Sequence, residues 1–254
     1  DSGIAYWVLK MDQEVDWLLN YKGGSFMTKY HPKIQNELVV RGVGYEIISD
    51  AQANAIINEI ASPAANYDLM KLEKYPRIAV YSPKSKQPWD DAVTLVLSYA
   101  EIPYTVIFDD EVLDGELAKY DWLHLHHEDF TGQYGKFYSS YANMPWYLEQ
   151  VKEAETIARK QGFGKVSQLK LAVAKRMKEF VGGGGFLFAM CSATDSYDIA
   201  LAAEGIDICE RMYDGDSADP QAQEKLNFNN TFAFTDFLLS RDPMQYEFSN
   251  IDNN

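Results

Sequence analysis

From residue 77 onward, short apolar runs alternate with longer segments of helical periodicity. The apolar runs are residues 78–81, 104–108, 120–125 and 186–190. The segments with helical spacing are residues 89–101, 145–161 and 166–181. Strands separated by helices are typical of a doubly wound, mainly parallel sheet with right-handed crossovers. We therefore predict an α/β fold, a three-layer sandwich, in which the loops after the four strands share one ligand-binding face.

The first part of the chain alternates less regularly. Apolar runs over residues 4–9 and 45–48 predict strands, whereas residues 32–41 and a segment that begins at Ser49 or Asp50 predict helices. A stretch rich in alanine and proline then suggests a boundary. We divide the chain into an N-terminal α/β extension packed on the same domain (residues 1–62), a connector (63–76) and the main domain (77–254).

Composition and charge exclude some classes of protein. The 254 residues are 46% hydrophobic and 24% charged, which is ordinary for a globular protein. The formal net charge of −15 would repel a phosphate backbone, so we expect no nucleic-acid partner. No apolar run approaches the ~20 residues that span a bilayer, so no membrane insertion is expected. The compartment stays open between the cytoplasm and export after loss of a signal peptide, and so does the oligomeric state.

The strongest chemical signal is a cysteine at a strand-to-helix corner. The strand over residues 186–190, expected to be covered on both faces, leads into Cys191. The next helix is expected to begin after an N-cap at Thr194, Asp195 or Ser196. Cys191 would then lie close to a helix N-terminus, where the dipole favours a thiolate. The alternative is a small core residue, and Cys209 is interpreted in that way.

A second signal follows the third strand of the main domain. The segment His124-Leu125-His126-His127-Glu128-Asp129 lies on the predicted ligand face, with His124 and His126 on one side of a strand. His126 or His127 could act as the base for Cys191, with Glu128 or Asp129 as the orienting group; Glu128 is the one assigned to the catalytic set. Imidazole and carboxylate groups also suit zinc or iron. The remaining alternative is a packed His124 followed by a polar surface loop.

Further residues are assigned to substrate binding. His124, Asp129 and Ser192 lie beside the candidate nucleophile and base in the predicted fold. Gly23 and Gly24 could present backbone N–H groups to an anion, or they form a plain turn. Tyr134 belongs to an aromatic segment that suits a stacking platform, a lid or core packing. The members of this segment are Phe130, Tyr134, Phe137, Tyr138, Tyr141, Trp146 and Tyr147.

Residues 77–204 resemble the class I glutamine amidotransferase-like superfamily. The family's nucleophile corner has the form Gly-x-Cys-x-Gly, and residues 189–193 read Ala-Met-Cys-Ser-Ala. The resemblance implies a flavodoxin-like α/β fold and a catalytic Cys191. In the family, a His-x-Glu pair that follows the cysteine activates it, whereas all four histidines of this chain precede Cys191.

Two narrower resemblances point in different directions. The polar and histidine residues after the third strand are similar to those of ThuA-like domains, which keep the fold without that triad. Residues 84–91 and 122–129 resemble a group of bacterial proteins labelled asparagine synthetase B. The Ser-Gly-Gly-x-Asp-Ser motif of an ATP-pyrophosphatase is not present in the sequence, so asparagine synthesis is not the expected reaction.

These observations lead to two hypotheses of function. The first is a cysteine-dependent amide hydrolase or amidotransferase, without cofactor or metal, in which Cys191 attacks a small amide with the help of His126 or His127. The second is a non-catalytic or carbohydrate-directed domain of ThuA-like type, which would bind a sugar-like molecule through residues 124–129.

Overall fold

The computed structural model describes residues 2–64, 66–84 and 92–251. The chain divides into two compact units. The N-terminal unit comprises Asp1–Pro76 and Leu95–Pro103, and the C-terminal unit comprises Arg77–Thr94 and Tyr104–Asn254. Most of the segment 84–91, which carries one of the resemblances, lies outside the described residues.

The strands are β1 (Val15–Leu19), β2 (Ser25–Thr28), β3 (Asp68–Leu72), β4 (Ile78–Tyr81), β5 (Tyr104–Ile107), β6 (Trp122–Leu125) and β7 (Phe186–Ala189). The helices are α1 (Ser2–Leu9), α2 (Pro32–Val40), α3 (Asp50–Ile60), α4 (Ala92–Tyr99), α5 (Asp109–Leu113), α6 (Tyr138–Tyr141), α7 (Pro145–Lys160), α8 (Val166–Gly182), α9 (Ser192–Ala202), α10 (Arg211–Asp214) and α11 (Ala222–Lys225). None of the helices in the described ranges has both the length and the apolar composition needed to cross a bilayer.

The N-terminal unit contains a three-stranded antiparallel sheet in the order β2-β1-β3. The strand predicted over residues 4–9 is wrong, because this segment forms α1. Ala5, Val8 and Leu9 have helical spacing and pack together against Val15 and Ile34. Strand β3 lies within the segment predicted as a connector, where it pairs with β1 from Val15↔Leu72 to Leu19↔Asp68.

The two helices predicted in this unit are present, with the expected start signals. Helix α2 has Pro32 in its first turn, and the His31 side chain accepts a hydrogen bond from the Lys33 backbone (3.2 Å). Helix α3 begins with a capping box between Ser49 and Gln52. The strand predicted over residues 45–48 is wrong, since the segment is irregular.

The C-terminal unit contains a four-stranded, all-parallel sheet in the order β5-β4-β6-β7. Helices flank the sheet, so the architecture is α/β and compatible with a three-layer sandwich. All four strands predicted for this region are confirmed, with ends that differ by at most two residues. Parallel pairing places their carboxyl ends at one edge of the sheet, as expected for the loops that follow them.

One face of this sheet supports the main core. Tyr81, Leu123 and Leu125 point to that face and pack in the same cluster as Leu169 and Val173 of α8. The opposite face is covered less completely, because Phe186 and Phe188 of β7 are 57% and 44% exposed. The prediction that β7 is covered on both faces is therefore wrong. Its position at the end of the strand order explains this exposure.

Candidate functional site

Cys191 forms a sharp corner between β7 and α9. Its backbone has φ 50° and ψ −143°, in a region that residues other than glycine rarely adopt. Strand β7 ends at Ala189 and α9 begins at Ser192, so Cys191 is the N-cap. The N-cap predicted at Thr194–Ser196 is wrong, because the helix begins earlier. The side chain of Cys191 is exposed, as a nucleophile requires.

The surrounding backbone holds this strained residue in place. Met190 N–H donates to the Leu125 carbonyl (3.0 Å), and Ala193 N–H donates to the His126 carbonyl (3.4 Å). The hydroxyl of Ser192 donates to the His127 carbonyl (3.0 Å). A conformation that costs about 1–3 kcal/mol persists only where neighbouring contacts fix it. The same contacts bring the loop after β6 to the cysteine corner.

His126 and His127 form a pair in that loop. Their Nδ1 atoms are 3.1 Å apart and their ring centroids are 4.7 Å apart. The backbone of both residues is bonded to the cysteine corner, as described above. Cys191 forms no disulfide, and its side chain is exposed. The structure thus brings the backbone of both candidate bases to the corner that carries the candidate nucleophile.

His124 has a different environment from its two neighbours. Its ring is fully buried, 5.8 Å from the ring of Phe188 and 6.3 Å from that of His126. The rings of His124 and His126 are therefore close to each other, as expected for two residues on one side of a strand. A fully buried ring cannot contact a substrate in this conformation, so His124 packs as a strand residue.

Glu128 organises the backbone of the histidine pair. It is 7% exposed, and its Oε2 accepts a hydrogen bond from His126 N–H (2.8 Å). Its carbonyl accepts a hydrogen bond from the Ser196 hydroxyl of α9 (3.0 Å). The residue predicted to orient an imidazole thus fixes the main chain that carries both imidazoles.

Asp129 stabilises an unusual turn in the next part of the loop. Its Oδ1 accepts hydrogen bonds from the backbone and hydroxyl of Thr131 (2.6 Å each), and its Oδ2 accepts from Gly135 N–H (3.1 Å). Tyr134, Gly135 and Lys136 have φ values of 51°, 71° and 58°, so three successive residues are left-handed. The carboxylate predicted to bind substrate is therefore engaged in holding this loop.

Lys136 attaches the same turn to the C-terminal segment. Its ammonium group is fully buried and donates to the carbonyls of Ser240 and Asp242 (2.9 Å each). Burial lowers the pKa of Lys136. Tyr246 follows in this segment and lies near the cysteine: its pKa is raised by burial and then by the Cys191 side chain. Neither residue was a candidate on sequence grounds, because nothing local indicates the long-range contact.

The aromatic segment mostly packs into the core. Phe130 and Tyr147 are buried, and the rings of Tyr134 and Tyr147 are 6.1 Å apart. Gly23 and Gly24 lie in the N-terminal unit, in the turn between β1 and β2. Their φ values are 82° and 92°, and no atom would obstruct a Cβ at either position. This geometry is that of a plain turn.

Cys209 is a core residue, as interpreted from the sequence. Its thiol is buried and donates to the Thr131 carbonyl (3.2 Å), and burial raises its pKa. Asp207, Cys209 and Asp214 place their ligand atoms within 4.8 Å of one another. Lys165 Nζ already lies 2.5 Å from Asp207 and 3.0 Å from Asp214. An internal ammonium group therefore occupies the position that a cation would take.

A buried charge cluster lies at the carboxyl ends of β4 and β5. The Tyr81 hydroxyl donates to Asp109, and Lys170 Nζ lies 2.8 Å from Oδ2 of Asp109 and 2.9 Å from the Tyr81 oxygen. Burial raises the pKa of Tyr81 far above its usual value, so the phenol stays protonated. The sequence contained one signal for this cluster, since Lys170 interrupts the apolar face of α8 beside Leu169.

A pocket of about 50 Å³ opens beside this cluster. The loops after β4, β5 and β6 line it together with α7 and α8. His127, Glu128, Asp129 and Tyr134 are among its lining residues, so several residues predicted from the sequence meet there. Cys191 is not among the described lining residues.

Comparisons with known proteins give no match of any kind: no family model, no curated protein and no solved structure is similar to this chain.

Proposed function

We propose that the C-terminal unit is a cysteine-dependent amide hydrolase or amidotransferase in which Cys191 is the nucleophile. The observation that carries this proposal is the backbone of Cys191, with φ 50° and ψ −143° at a strand-to-helix corner. Nucleophiles of several hydrolase families occupy such strained turns, which expose the reacting atom at the end of a sheet. A cysteine that only packs in the core has no need of such a backbone conformation. Cys209 is a cysteine of that kind: it is buried and is not among the residues with a positive φ.

The corner also supplies a group for the developing oxyanion. Ser192 is the first residue of α9, and no acceptor within the described residues is bonded to its N–H. The N–H that follows a nucleophile at such a corner is a common oxyanion donor. In the proposed reaction the thiolate sulfur adds to the amide carbonyl carbon, and the carbonyl oxygen becomes an oxyanion beside Ser192 N–H.

Proton transfer completes the proposed reaction. His126 or His127 takes the thiol proton and returns it to the departing amine when the carbon–nitrogen bond breaks. The resulting thioester on Cys191 is then cleaved by water, or by an acceptor amine in an amidotransferase. In this proposal the histidine pair activates the cysteine, which is the role of the His-x-Glu pair in the family that residues 77–204 resemble. Either ring has to come within hydrogen-bond reach of the sulfur, at about 3–4 Å.

Hydrolysis of a panel of small amides tests the proposal. We expect Cys191→Ala to lower kcat at least ~100-fold, because no other exposed thiol is available in the described residues. Cys209→Ala is the matched control, and it should leave kcat unchanged in folded protein. His126→Ala and His127→Ala identify the base, since only the base variant should lower kcat strongly. Equal activity of Cys191→Ala and wild type would remove the nucleophile role.

A second candidate function is a carbohydrate-directed binding domain of ThuA-like type. The observation that favours it is the pocket beside the 124–129 loop, which combines Glu128 and Asp129 with the aromatic ring of Tyr134. Carboxylates and aromatic rings together suit sugars. A glycan that binds both the wild type and Cys191→Ala, with no amide turnover in either, would favour this function over the first.

A further inference from the structure

The outer edge of β7 carries main-chain groups that no other strand uses. β7 is the last strand in the order β5-β4-β6-β7, and it pairs with β6. The N–H groups of Phe186 and Met190 donate to carbonyls on the side of β6, at 2.9 and 3.0 Å. Main-chain groups of successive residues point to opposite edges of a strand, so those of Leu187 and Ala189 point away from β6. Among the described residues, none is hydrogen-bonded to the main chain of Leu187 or Ala189 at this outer edge.

This edge lacks the residues that usually protect such a strand. Natural edge strands commonly carry lysine, proline or an inward-pointing charge, because an unprotected edge pairs with other chains. No charged residue and no proline occurs from residue 181 to residue 194. The side chains of Phe186 and Phe188 are exposed beside the same edge. Unpaired main-chain groups next to exposed aromatic rings are typical of an edge to which another strand is added.

The sequence of β7 is complementary to a second copy of itself. We consider an antiparallel pairing of two β7 strands about a two-fold axis at Phe188. Leu187 of one chain then lies opposite Ala189 of the other, which places a large side chain beside a small one. These are the residues whose main-chain groups point outward, so each such pair exchanges both of its N–H···O=C bonds. A two-fold interface requires this kind of self-complementarity.

The other face of the same pairing brings aromatic side chains together. Phe188 lies opposite Phe188 of the second copy, and Phe186 lies opposite Met190. Within one chain the ring of Phe188 already stacks on the ring of His124, with centroids 5.8 Å apart. The second copy would therefore continue an aromatic row across the joined sheets. Cross-strand aromatic pairs of this kind stabilise a sheet.

We infer that the outer edge of β7 is the contact surface of a homodimer, in which the parallel sheets of two C-terminal units join through antiparallel β7 strands. A second copy is favoured over an unrelated strand, because one short sequence supplies both members of every apolar pair. β7 has four residues, so the contact is smaller than a standard interface of ~1,600 Å² and we expect a dissociation constant of about 10 µM. The contact does not depend on whether Cys191 is a nucleophile.

Sedimentation equilibrium of the intact chain, from about 1 to about 200 µM, tests the inference. We expect a monomer–dimer equilibrium. Phe188→Lys places two like charges opposite each other at the two-fold axis and should weaken the dimer at least ~10-fold. Leu148→Lys is the matched control, since Leu148 is an exposed apolar residue on α7, and it should leave the dimer unchanged. A monomer at every concentration would overturn the second copy as the occupant of the edge, and a dimer that Phe188→Lys leaves unchanged would overturn its placement at β7.

Salt separates this apolar contact from an interface built on ion pairs. The net charge of −15 on each chain opposes association at low ionic strength. Raising the NaCl concentration from about 0.05 to about 0.5 M screens this repulsion and should strengthen the dimer several-fold. A dimer that dissociates as salt is added would overturn the uncharged contact at β7.

A disulfide reports the register of the two strands. In the inferred pairing the two Cα atoms of residue 188 lie about 4.5 Å apart, within the range that a disulfide spans. Phe188→Cys in a Cys191→Ser background should give a covalent dimer on oxidation with copper phenanthroline, seen by non-reducing electrophoresis. Phe186→Cys in the same background is the matched control, because the two copies of residue 186 would be more than ~13 Å apart. No crosslink at position 188, or equal crosslinking at both positions, would overturn the register.

Discussion

The two cysteines of the chain show how position decides the chemistry of one residue type. Cys191 is exposed at a strained corner, and Cys209 is buried with its thiol bonded to the Thr131 carbonyl. Burial in a low-dielectric environment disfavours the thiolate and raises the pKa of Cys209. Only the thiolate is a nucleophile, so the two residues should differ sharply in reactivity.

Alkylation of the native protein measures this difference. With iodoacetamide at neutral pH, we expect one thiol per chain to react, at Cys191, and Cys209 to react only after unfolding in guanidinium. Peptide mass mapping identifies the labelled residue. Cys191→Ser is the control, and it should show almost no labelling in the folded state. Labelling of Cys209 at the same rate as Cys191 would contradict the burial on which the interpretation depends.

At the scale of elements, the loop from Asp129 to Phe137 is held by contacts within itself, to α8 and to the C-terminal segment. The Asp129 carboxylate caps it, Lys136 anchors it to the carbonyls of residues 240 and 242, and Gly132 lets it approach α8. The Lys136 contacts join residues more than 100 positions apart, the Asp129 contact is local, and the Gly132 contact is steric. They explain how a run of left-handed residues persists without a regular hydrogen-bonded element.

Two glycines allow the effect of close packing to be separated from the effect of backbone strain. Gly132 and Gly162 have φ values of 87° and 83°, but only Gly132 has a backbone neighbour within the reach of a Cβ. Gly162→Ala should therefore lower the free energy of unfolding by about 1–2 kcal/mol, and Gly132→Ala by clearly more. Urea unfolding of both variants gives the comparison. Equal losses would show that the loop is not packed closely on α8.

The local pattern of apolar and polar residues predicted the strands and helices of the C-terminal unit well, but it predicted their side-chain contacts poorly. Strands β4 to β7 and helices α7 and α8 were confirmed, because buried apolar runs and helical spacing are local properties of the sequence. The strand predicted over residues 4–9 was wrong, because a short apolar run fits both a strand and a buried helix. The partners of Lys170 and Lys136 lie tens of residues away, and no spacing rule indicates such pairs.

At the scale of the whole molecule, buried tyrosines make stability depend on alkaline pH. Burial raises the pKa of five fully packed tyrosines in the C-terminal unit, each at most 5% exposed, above the usual value near 10. They are Tyr81, Tyr134, Tyr147, Tyr197 and Tyr213. In the unfolded chain these phenols lose their protons first, so above pH 10 the unfolded state binds fewer protons than the folded state. Their contribution to stability is thus complete below pH 10 and is lost as the pH rises above it.

Urea unfolding between pH 8 and pH 11 checks this dependence, with absorbance at 295 nm reporting phenolate formation. We expect the free energy of unfolding to fall above pH 10. Tyr197→Phe should make the fall shallower, because it removes one such group, and Tyr99→Phe serves as the control at a position that is 91% exposed. A free energy of unfolding that is constant up to pH 11 would contradict this account of the core.

The central claim is that Cys191 forms a covalent acyl intermediate. The most direct measurement is intact-mass spectrometry of the protein after incubation with p-nitroanilides of small carboxylic acids and rapid acid quenching. We predict an adduct with the mass of the acyl group, mapped to the peptide that contains Cys191 and absent from Cys191→Ala. Hydrolysis of the same anilides without any adduct on Cys191, and at an equal rate in Cys191→Ala, would contradict the claim.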